Sequence, residues 1–291
     1  MTLLVGLLRM AFEMWTLRSE SGAGPAGDRS PSVDIVVVCG DEPLEVLRAS
    51  LLACGAVRGD HRTIALDTLG RPELAEVTFE AGATHLVASA GPGRTPEEHL
   101  DAAMAHLTGD LVTVLHGNDV PLPNLIEELA GDFEDDTVWL AQGRQAVHGS
   151  SPEEYHGTPG QLAYFFSVLQ PGKAHHQASY WCGSGGMLRR RAVIELGGIP
   201  RTTPTPGFQL SLRAHRHGWR STYHETAVVL TLAGPGLRRF LSRRAAWARG
   251  IVGALRSPDS PLRPGGLSYA QRMSYPAPPR HTSVGHAGWW W

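Results

Sequence analysis

Short apolar runs alternate with helical patterns along the N-terminal part of the chain. Residues 33–39 form a β-branched run, which is typical of a buried parallel strand. Residues 43–57 then place apolar side chains at helical spacing behind a proline at the first position. Further strand patterns, at 61–68, 84–89 and 110–119, alternate with helical ones. This alternation predicts an α/β fold with a parallel sheet and crossover helices.

The predicted strand ends are the first places to search for functional side chains. A parallel sheet binds its ligands at the carboxyl ends of its strands. Here those ends lie at residues 39–42, 67–70 and 116–119. In the C-terminal half, we expect a loop at 170–180 and helices at 162–169, 208–217 and 237–256.

Composition divides the chain into three parts. Residues 1–30 comprise an apolar segment followed by a linker rich in glycine, serine and proline. Residues 31–256 contain the predicted folded domain. Residues 257–291 turn again to proline, glycine and serine, so we expect a disordered tail there.

The overall charge argues against nucleic-acid binding. The 291-residue chain has a formal net charge of −2 and a pI near 6.7, which predict no basic surface for a phosphate backbone. Its three cysteines include no C-x-x-C pair. They indicate reduced thiols and a cytoplasmic protein.

The apolar N-terminal segment leaves two interpretations open. Arg9 and Glu13 interrupt residues 1–15, which are too short and too charged to cross a bilayer. We therefore predict no transmembrane span. The segment either lies on a membrane surface as an interfacial helix, which would make the protein membrane-peripheral, or packs locally.

Three stretches carry a resemblance to a known family. They are PSVDIVVVCGDEPLEVLRASLLA at 31–53, FFSVLQPGKAHHQASYWCGSGGMLRRRAVIELGGIP at 165–200 and GFQLSLRAHRHGWRSTY at 207–223. In this order they resemble the cellulose synthase-like catalytic domain of glycosyltransferase family 2. The resemblance spans about residues 31–250 and implies the GT-A fold, a Rossmann-like, doubly wound sheet with a smaller acceptor-side region. It also implies a UDP or UDP-sugar donor, a glycan acceptor and Mg²⁺ or Mn²⁺.

The family's nucleotide-holding residues are partly present. The turn GDEP at 40–43 resembles the family's N-E-P turn, which implies that Asp41 and Glu42 line a nucleotide site. Asp67 matches the first aspartate of the family's L-D-D-G motif, which contacts the base or ribose, and Thr68 replaces the second. Two interpretations of Asp67 stay open: residual uridine binding, or a strand-end residue that caps its own loop.

The family's metal-binding D-x-D motif is replaced. In LHGNDVP at 115–121, His116 and Asn118 stand where the two aspartates belong. Mg²⁺ and Mn²⁺ prefer oxygen ligands, with charged carboxylates supplying most of the binding, so we predict that neither ion is held here. Both residues remain in the predicted nucleotide-binding set by their position. A different ion, held by His116 and Asp119, is an open alternative.

The family's general base is also replaced. The stretch TPTPGF at 203–208 lies where the family has T-E-D followed by an aromatic residue. Gly207 therefore stands in place of the carboxylate that deprotonates the acceptor hydroxyl. We assign no catalytic residue at this position, and His116 is the alternative base that the sequence offers.

The acceptor-side motifs are mixed. In SRRAAW at 242–247, which lies where the family has Q-x-x-R-W, the tryptophan is kept and Arg243 replaces the glutamine. The resemblance implies that Arg243 and Trp247 contact the acceptor or the diphosphate. Trp181 and Cys182 either line an acceptor groove or belong to the core, and the core interpretation is favoured.

These replacements favour a family 2-like protein that is catalytically impaired or inactive and keeps residual nucleotide-sugar or glycan binding. One alternative is an active UDP-sugar-dependent transferase with a rearranged site. In it, Arg243, Arg244 and Lys173 would neutralise phosphate and His116 would act as base. A second alternative is non-enzymatic: a peripheral membrane or scaffold partner.

Overall fold

One eight-stranded sheet organises the described part of the chain. The computed structural model describes residues 31–88, 95–148, 163–201, 203–232 and 237–275. The predicted N-terminal segment and the end of the predicted tail, from residue 276, lie outside these ranges. The strands are β1 Val33–Cys39, β2 His61–Asp67, β3 Thr84–Val87, β4 Leu111–His116, β5 Asp119–Pro121, β6 Val138–His148, β7 Gly186–Arg189 and β8 Arg220–Leu232.

The sheet is mostly parallel, as predicted. Its order is β3-β2-β1-β4-β7-β6-β8-β5. β1 pairs in parallel with β2 and β4, and β2 pairs in parallel with β3. β7 lies antiparallel between β4 and β6, β8 runs parallel to β6, and β5 is antiparallel to β8. The carboxyl ends of the parallel strands therefore share one edge of the sheet.

Helices cover both faces of the sheet. Alternate residues of β1 face opposite sides: Ile35 packs in one apolar cluster with Leu47, and Val36 packs in a second cluster with Leu100. Burial on both faces explains why β1 is a continuous apolar run rather than an alternating one. The helices are α1 Leu44–Gly55, α2 Pro72–Glu80, α3 Pro96–Ala103, α4 Leu125–Leu129, α5 Gln170–His175, α6 Arg190–Glu195, α7 Pro206–Arg216, α8 Leu237–Arg256 and α9 Tyr269–Ser274, with 3-10 turns at Met104–His106 and Ala130–Glu134.

The loop predicted at 170–180 is partly helical. A π-helical turn at Phe165–Leu169 runs directly into α5. Pro171 lies in the first turn of α5, directly after the π-helical turn.

Residues 257–275 are folded, so the prediction of a disordered tail is wrong for this stretch. Ser268 and Gln271 form a capping box at the start of α9. Leu267 and Tyr275 are buried in one cluster with Phe208 of α7. A composition rich in proline and glycine hides these few apolar anchors, which are enough to dock the segment on the domain.

A buried polar network joins this segment to α7. The Tyr275 hydroxyl is hydrogen-bonded to His215 Nδ1, and His215 Nε2 lies 2.9 Å from Ser221 Oγ. Ser221 Oγ donates in turn to the carbonyl oxygen of Ser179 at 2.8 Å. Burial lowers the pKa of His215 to about 3, so its imidazole is neutral in the folded protein at pH 7.

Removing the Tyr275 hydroxyl is expected to destabilise the fold. Tyr275→Phe leaves His215 Nδ1 buried without its partner, so the free energy of unfolding should fall by about 1–3 kcal/mol. Urea denaturation measures this change. The control is Tyr269→Phe, at a tyrosine of the same segment that is 78% exposed, with an expected change within about 0.5 kcal/mol. An unchanged stability of Tyr275→Phe would mean that the hydrogen bond to His215 contributes nothing to the fold.

Acid is expected to destabilise the fold through His215. Its pKa is about 3 in the folded protein and about 6.5 in an unfolded chain, so the unfolded chain takes up the proton first as pH falls. The stability contributed by neutral His215 is complete above about pH 6.5 and is lost at about 1.4 kcal/mol per pH unit below it. Unfolding free energies of wild type and His215→Gln, measured from about pH 7 to 5, should differ in slope by up to one proton. Equal slopes would contradict the burial of a neutral imidazole.

Candidate functional site

The candidate site lies where β1, β2 and β4 end. β1 ends at Cys39, β2 at Asp67 and β4 at His116. The register pairs Cys39 with Asp67, and Val38 with His116, so the three ends are direct neighbours. The sheet therefore brings the predicted donor-side residues to one edge, as expected for a parallel sheet.

Asp67 caps the loop that follows it. Its buried carboxylate accepts hydrogen bonds from the backbone N–H groups of Leu69, Gly70 and Arg71, at 3.1, 2.9 and 2.7 Å. His85 Nε2 lies 3.2 Å from the same carboxylate. Of the two open interpretations, the geometry supports the loop cap, because these donors already occupy both carboxylate oxygens.

The turn after β1 contacts the loop after β4. Glu42 Oε2 accepts a hydrogen bond from the backbone of Gly40 at 2.8 Å, and Asp41 is exposed beside it. A Cβ at Gly117 would lie 3.0 Å from the carboxyl carbon of Glu42 and would also overlap Leu47. A side chain at 117 would therefore have to displace the ends of the Leu47 and Glu42 side chains.

Arg71 lies at the candidate site and was not among the residues predicted from the sequence. Its Nη1 donates to the carbonyl oxygen of Glu42 at 2.8 Å. Its Nε and Nη2 are buried and have no hydrogen-bond partner among the described residues. Buried guanidinium nitrogens normally find acceptors, so this group is poised for oxygens that a ligand would supply. Its spacing, four residues after Asp67, was the only sequence signal.

The loop after β4 closes on Asp119. The carboxylate of Asp119, which is 1% exposed, accepts hydrogen bonds from the backbone of His116 at 2.9 Å and from Ser184 Oγ at 2.6 Å. His116 Nδ1 lies 3.3 Å from the same carboxylate, while half of the His116 side chain is exposed. Asn118 is half-buried within this loop. The loop thus presents an imidazole to the site and keeps its one carboxylate inside.

The loop does not fit the divalent cation that the family resemblance implies. Neither aspartate position holds a carboxylate, and three donors already surround the buried Asp119 carboxylate. Within the described ranges, no three His, Cys, Asp or Glu side chains are grouped as metal ligands. The alternative of an ion held by His116 and Asp119 stays a prediction, because two side chains 3.3 Å apart can also be two ligands of one ion.

The position of the family base is closed by backbone. Gly207 lies in the first turn of α7, and a Cβ there would overlap the carbonyl oxygen of Trp181. Ser211 Oγ donates to the Gly207 carbonyl oxygen at 2.7 Å and accepts from the Trp181 backbone N–H at 2.9 Å. These bonds hold the two segments together, so a side chain at 207 requires the backbone to move.

Trp181 is a core residue and lines no groove. It is 3% exposed and packs in the same apolar cluster as Leu140 and Leu210. Cys182 is half-buried, and its Sγ lies 2.9 Å from Gln170 Nε2. Burial raises the pKa of the Cys182 thiol to about 12, so it is neither a thiolate nor a nucleophile at pH 7.

Helix α8 contributes an exposed aromatic ring. Trp247 is 39% exposed, and α8 packs on the loop before α7 so closely that a Cβ at Gly250 would overlap Thr205. Arg243 lies on α8, but its side chain and that of Arg244 fall outside what the structure describes. Lys173, predicted as a phosphate ligand in the active alternative, is buried and donates to the carbonyl oxygen of Ser274. It is therefore unsuited to that role.

Helix α8 is also the longest described helix. It carries arginines along its length and contains no acidic residue. None of the helices in the described ranges has both the length and the apolarity that crossing a membrane requires.

Comparison with curated proteins finds cellulose synthases. The catalytic subunit [UDP-forming] of Xanthomonas axonopodis pv. citri is 29% identical over 273 residues, which cover 90% of this chain and 37% of that protein. Cellulose synthase 1 of Komagataeibacter xylinus is 30% identical over 266 residues, which cover 86% of this chain and 17% of that protein. The chain thus spans well under half the length of either relative.

Solved structures share the fold at low identity. A mannosyltransferase from Pyrobaculum calidifontis, in complex with GDP-Man and Mn²⁺, has a TM-score of 0.74 at 15% identity, covering 94% of this chain and 78% of that one. Glucosyl-3-phosphoglycerate synthase from Mycobacterium tuberculosis, in complex with Mn²⁺, UDP and glucosyl-3-phosphoglycerate, has a TM-score of 0.52 at 15% identity, covering 79% and 82%. Both likenesses are evidence for the fold.

The family follows from a match over most of the chain. The family model described as glycosyl transferase family group 2 matches residues 111–290. This range contains the loop after β4, the start of α7 and helix α8. The chain therefore belongs to glycosyl transferase family group 2, as a cellulose synthase-like domain with the GT-A fold.

Proposed function

We propose that this domain binds a nucleotide-sugar at the ends of β1, β2 and β4 but transfers the sugar slowly or not at all. The observation that carries the proposal is the closed position of Gly207. Transfer to a hydroxyl needs a base that takes up its proton, and a general base typically contributes a factor of about 10²–10⁴ to the rate. Here the Trp181 carbonyl oxygen occupies the space that a side chain would need.

The donor edge supports retained nucleotide binding. Glu42, Asp67 and Arg71 hold the loops at this edge in place through backbone contacts. Arg71 also brings two buried guanidinium nitrogens without partners among the described residues. Structural neighbours solved with GDP-Man and with UDP support a nucleotide as the class of ligand. Because a curated relative is named as UDP-forming, we take UDP as the nucleotide.

A glycan acceptor would contact helix α8. The exposed indole of Trp247 on α8 offers a flat apolar face of the kind that sugars stack on.

An active transferase with a rearranged site would need another base, and His116 is the exposed imidazole at the donor edge. Peripheral membrane contact through the apolar N-terminal segment remains a separate proposal, which vesicle pelleting with and without residues 1–16 would test.

The first prediction here is UDP binding without matching turnover. Calorimetric titration should give a Kd on the order of 10–100 µM, and Arg71→Ala should weaken it about tenfold by removing the guanidinium. The matched control is Arg58→Ala, which removes an exposed arginine paired with Glu127 and should leave the Kd unchanged. UDP release from UDP-glucose should stay at least a hundredfold below the roughly 10 per second of a typical enzyme.

Two results would contradict this prediction. Absence of UDP binding under every condition removes the donor-site proposal and leaves the scaffold alternative. Turnover near the typical enzymatic rate removes the proposed impairment and favours the active transferase with a rearranged site.

The second prediction tests the closure at Gly207. Gly207→Ala forces a Cβ against a backbone oxygen, so the free energy of unfolding should fall by about 1–3 kcal/mol, as overpacking usually does. Gly253→Ala, on α8 with open space around it, is the control and should be stabilising by about 0.5–1 kcal/mol. Chemical denaturation measures both. If Gly207→Ala is as stable as wild type, the position can admit a side chain and the closure argument fails.

A further inference from the structure

The carboxylate of Asp119 is buried and satisfied by several donors. They include the His116 backbone, the Ser184 hydroxyl at 2.6 Å, His116 Nδ1 at 3.3 Å and the Thr231 hydroxyl. Burial by itself would raise the pKa of Asp119, but the hydrogen bonds and charge of His116, with the Ser184 and Thr231 hydroxyls, lower it below its usual range. The carboxylate is therefore ionised at neutral pH.

His116 is the side chain that can balance this charge. Burying a carboxylate is costly unless a positive group or several donors compensate it. Of the described side chains hydrogen-bonded to Asp119, only His116 can become cationic. The pairing thus favours an imidazolium on the half-exposed side of the loop, held in orientation through its Nδ1.

Half of the His116 side chain is exposed to solvent, next to Gly183. A Cβ at Gly183 would lie 3.4 Å from His116 Cε1, and Gly183 has a φ of +88°. Glycine at this position keeps the approach to the ring clear. The other carboxylate near the loop is Glu42, which bonds to the backbone of Gly40.

We propose that the His116–Asp119 pair takes the place of a divalent cation, with the imidazolium of His116 contacting the diphosphate of the bound nucleotide. The inference rests on the proposed nucleotide binding and names the group that receives the phosphates. A loop with two exposed carboxylates repels a diphosphate unless a metal lies between them. This loop has one buried carboxylate matched by one imidazolium, so it needs no metal.

The experiment is a UDP titration at pH 6.0, because acid favours the protonated form of an imidazole. Wild type should bind UDP equally, within about twofold, in EDTA and in Mn²⁺. His116→Gln should bind about tenfold more weakly in EDTA, because it removes a charge-assisted hydrogen bond. His116→Lys keeps a positive charge and should stay within about threefold of wild type. His217→Gln, at an exposed histidine at the end of α7, is the control and should not change binding.

Each contrary result has a distinct meaning. Binding that tightens tenfold or more with Mn²⁺ overturns this inference and leaves the proposed donor site standing. Unchanged binding by His116→Gln, or equal losses in His116→Gln and His116→Lys, also overturns it, because the effect would not follow charge. Absence of UDP binding with and without Mn²⁺ overturns both the inference and the proposed function. Thermal unfolding of each variant confirms that the binding data come from folded protein.

Discussion

The complete burial of β1 is the constraint on which the rest of the domain depends. All seven of its residues are buried, strands pair with both of its edges, and apolar clusters cover both of its faces. Polar groups beside it must therefore be satisfied inside the protein. Asp34 shows this at the amino end, where Arg62 and the backbone N–H groups of Thr108 and Gly109 bind its carboxylate.

Buried polar groups are also satisfied at the carboxyl ends of the strands, but there they bind the loops that follow. Asp67 and Asp119 use their carboxylates to hold loops, so neither faces a ligand. The basic groups at this edge are the guanidinium of Arg71 and the imidazole of His116, and Asp41 is an exposed carboxylate beside them. Burial of Asp67 and Asp119 thus lowers the number of carboxylates that this edge presents.

Much of the fold could be predicted from the sequence, because the alternation of apolar runs and helical patterns reflects which side chains are buried. The ordered motifs also located the family, and the family model and the relatives confirm it. The contacts of individual side chains were harder to predict from the sequence. That Lys173 is buried by the C-terminal segment depends on a contact distant in sequence. Gly207 could be recognised as a lost base, but the Trp181 backbone that fills its space could not.

Composition alone also failed to predict that segment 257–275 is folded. Its prolines and glycines predicted disorder, whereas two buried anchors decide the outcome. The aromatic contact between Tyr275 and Phe208, with ring centroids 5.4 Å apart, joins the segment to the helix that begins at the lost base position. Helix α7 is thus held by Trp181 through Ser211 and by the segment through His215, near the end of the helix.

The docking of Tyr275 has a consequence for how the chain matures during synthesis. A ribosome releases the strands first, and domains begin to fold from the N-terminal side as they emerge. The cluster around Phe208 is incomplete until residue 275 has left the ribosome, because Leu267 and Tyr275 supply part of it. The donor edge, built from residues 33–119, can therefore form early. The cluster around Phe208 must wait for Tyr275, and until then its aromatic side chains are open to chaperones and to neighbouring chains.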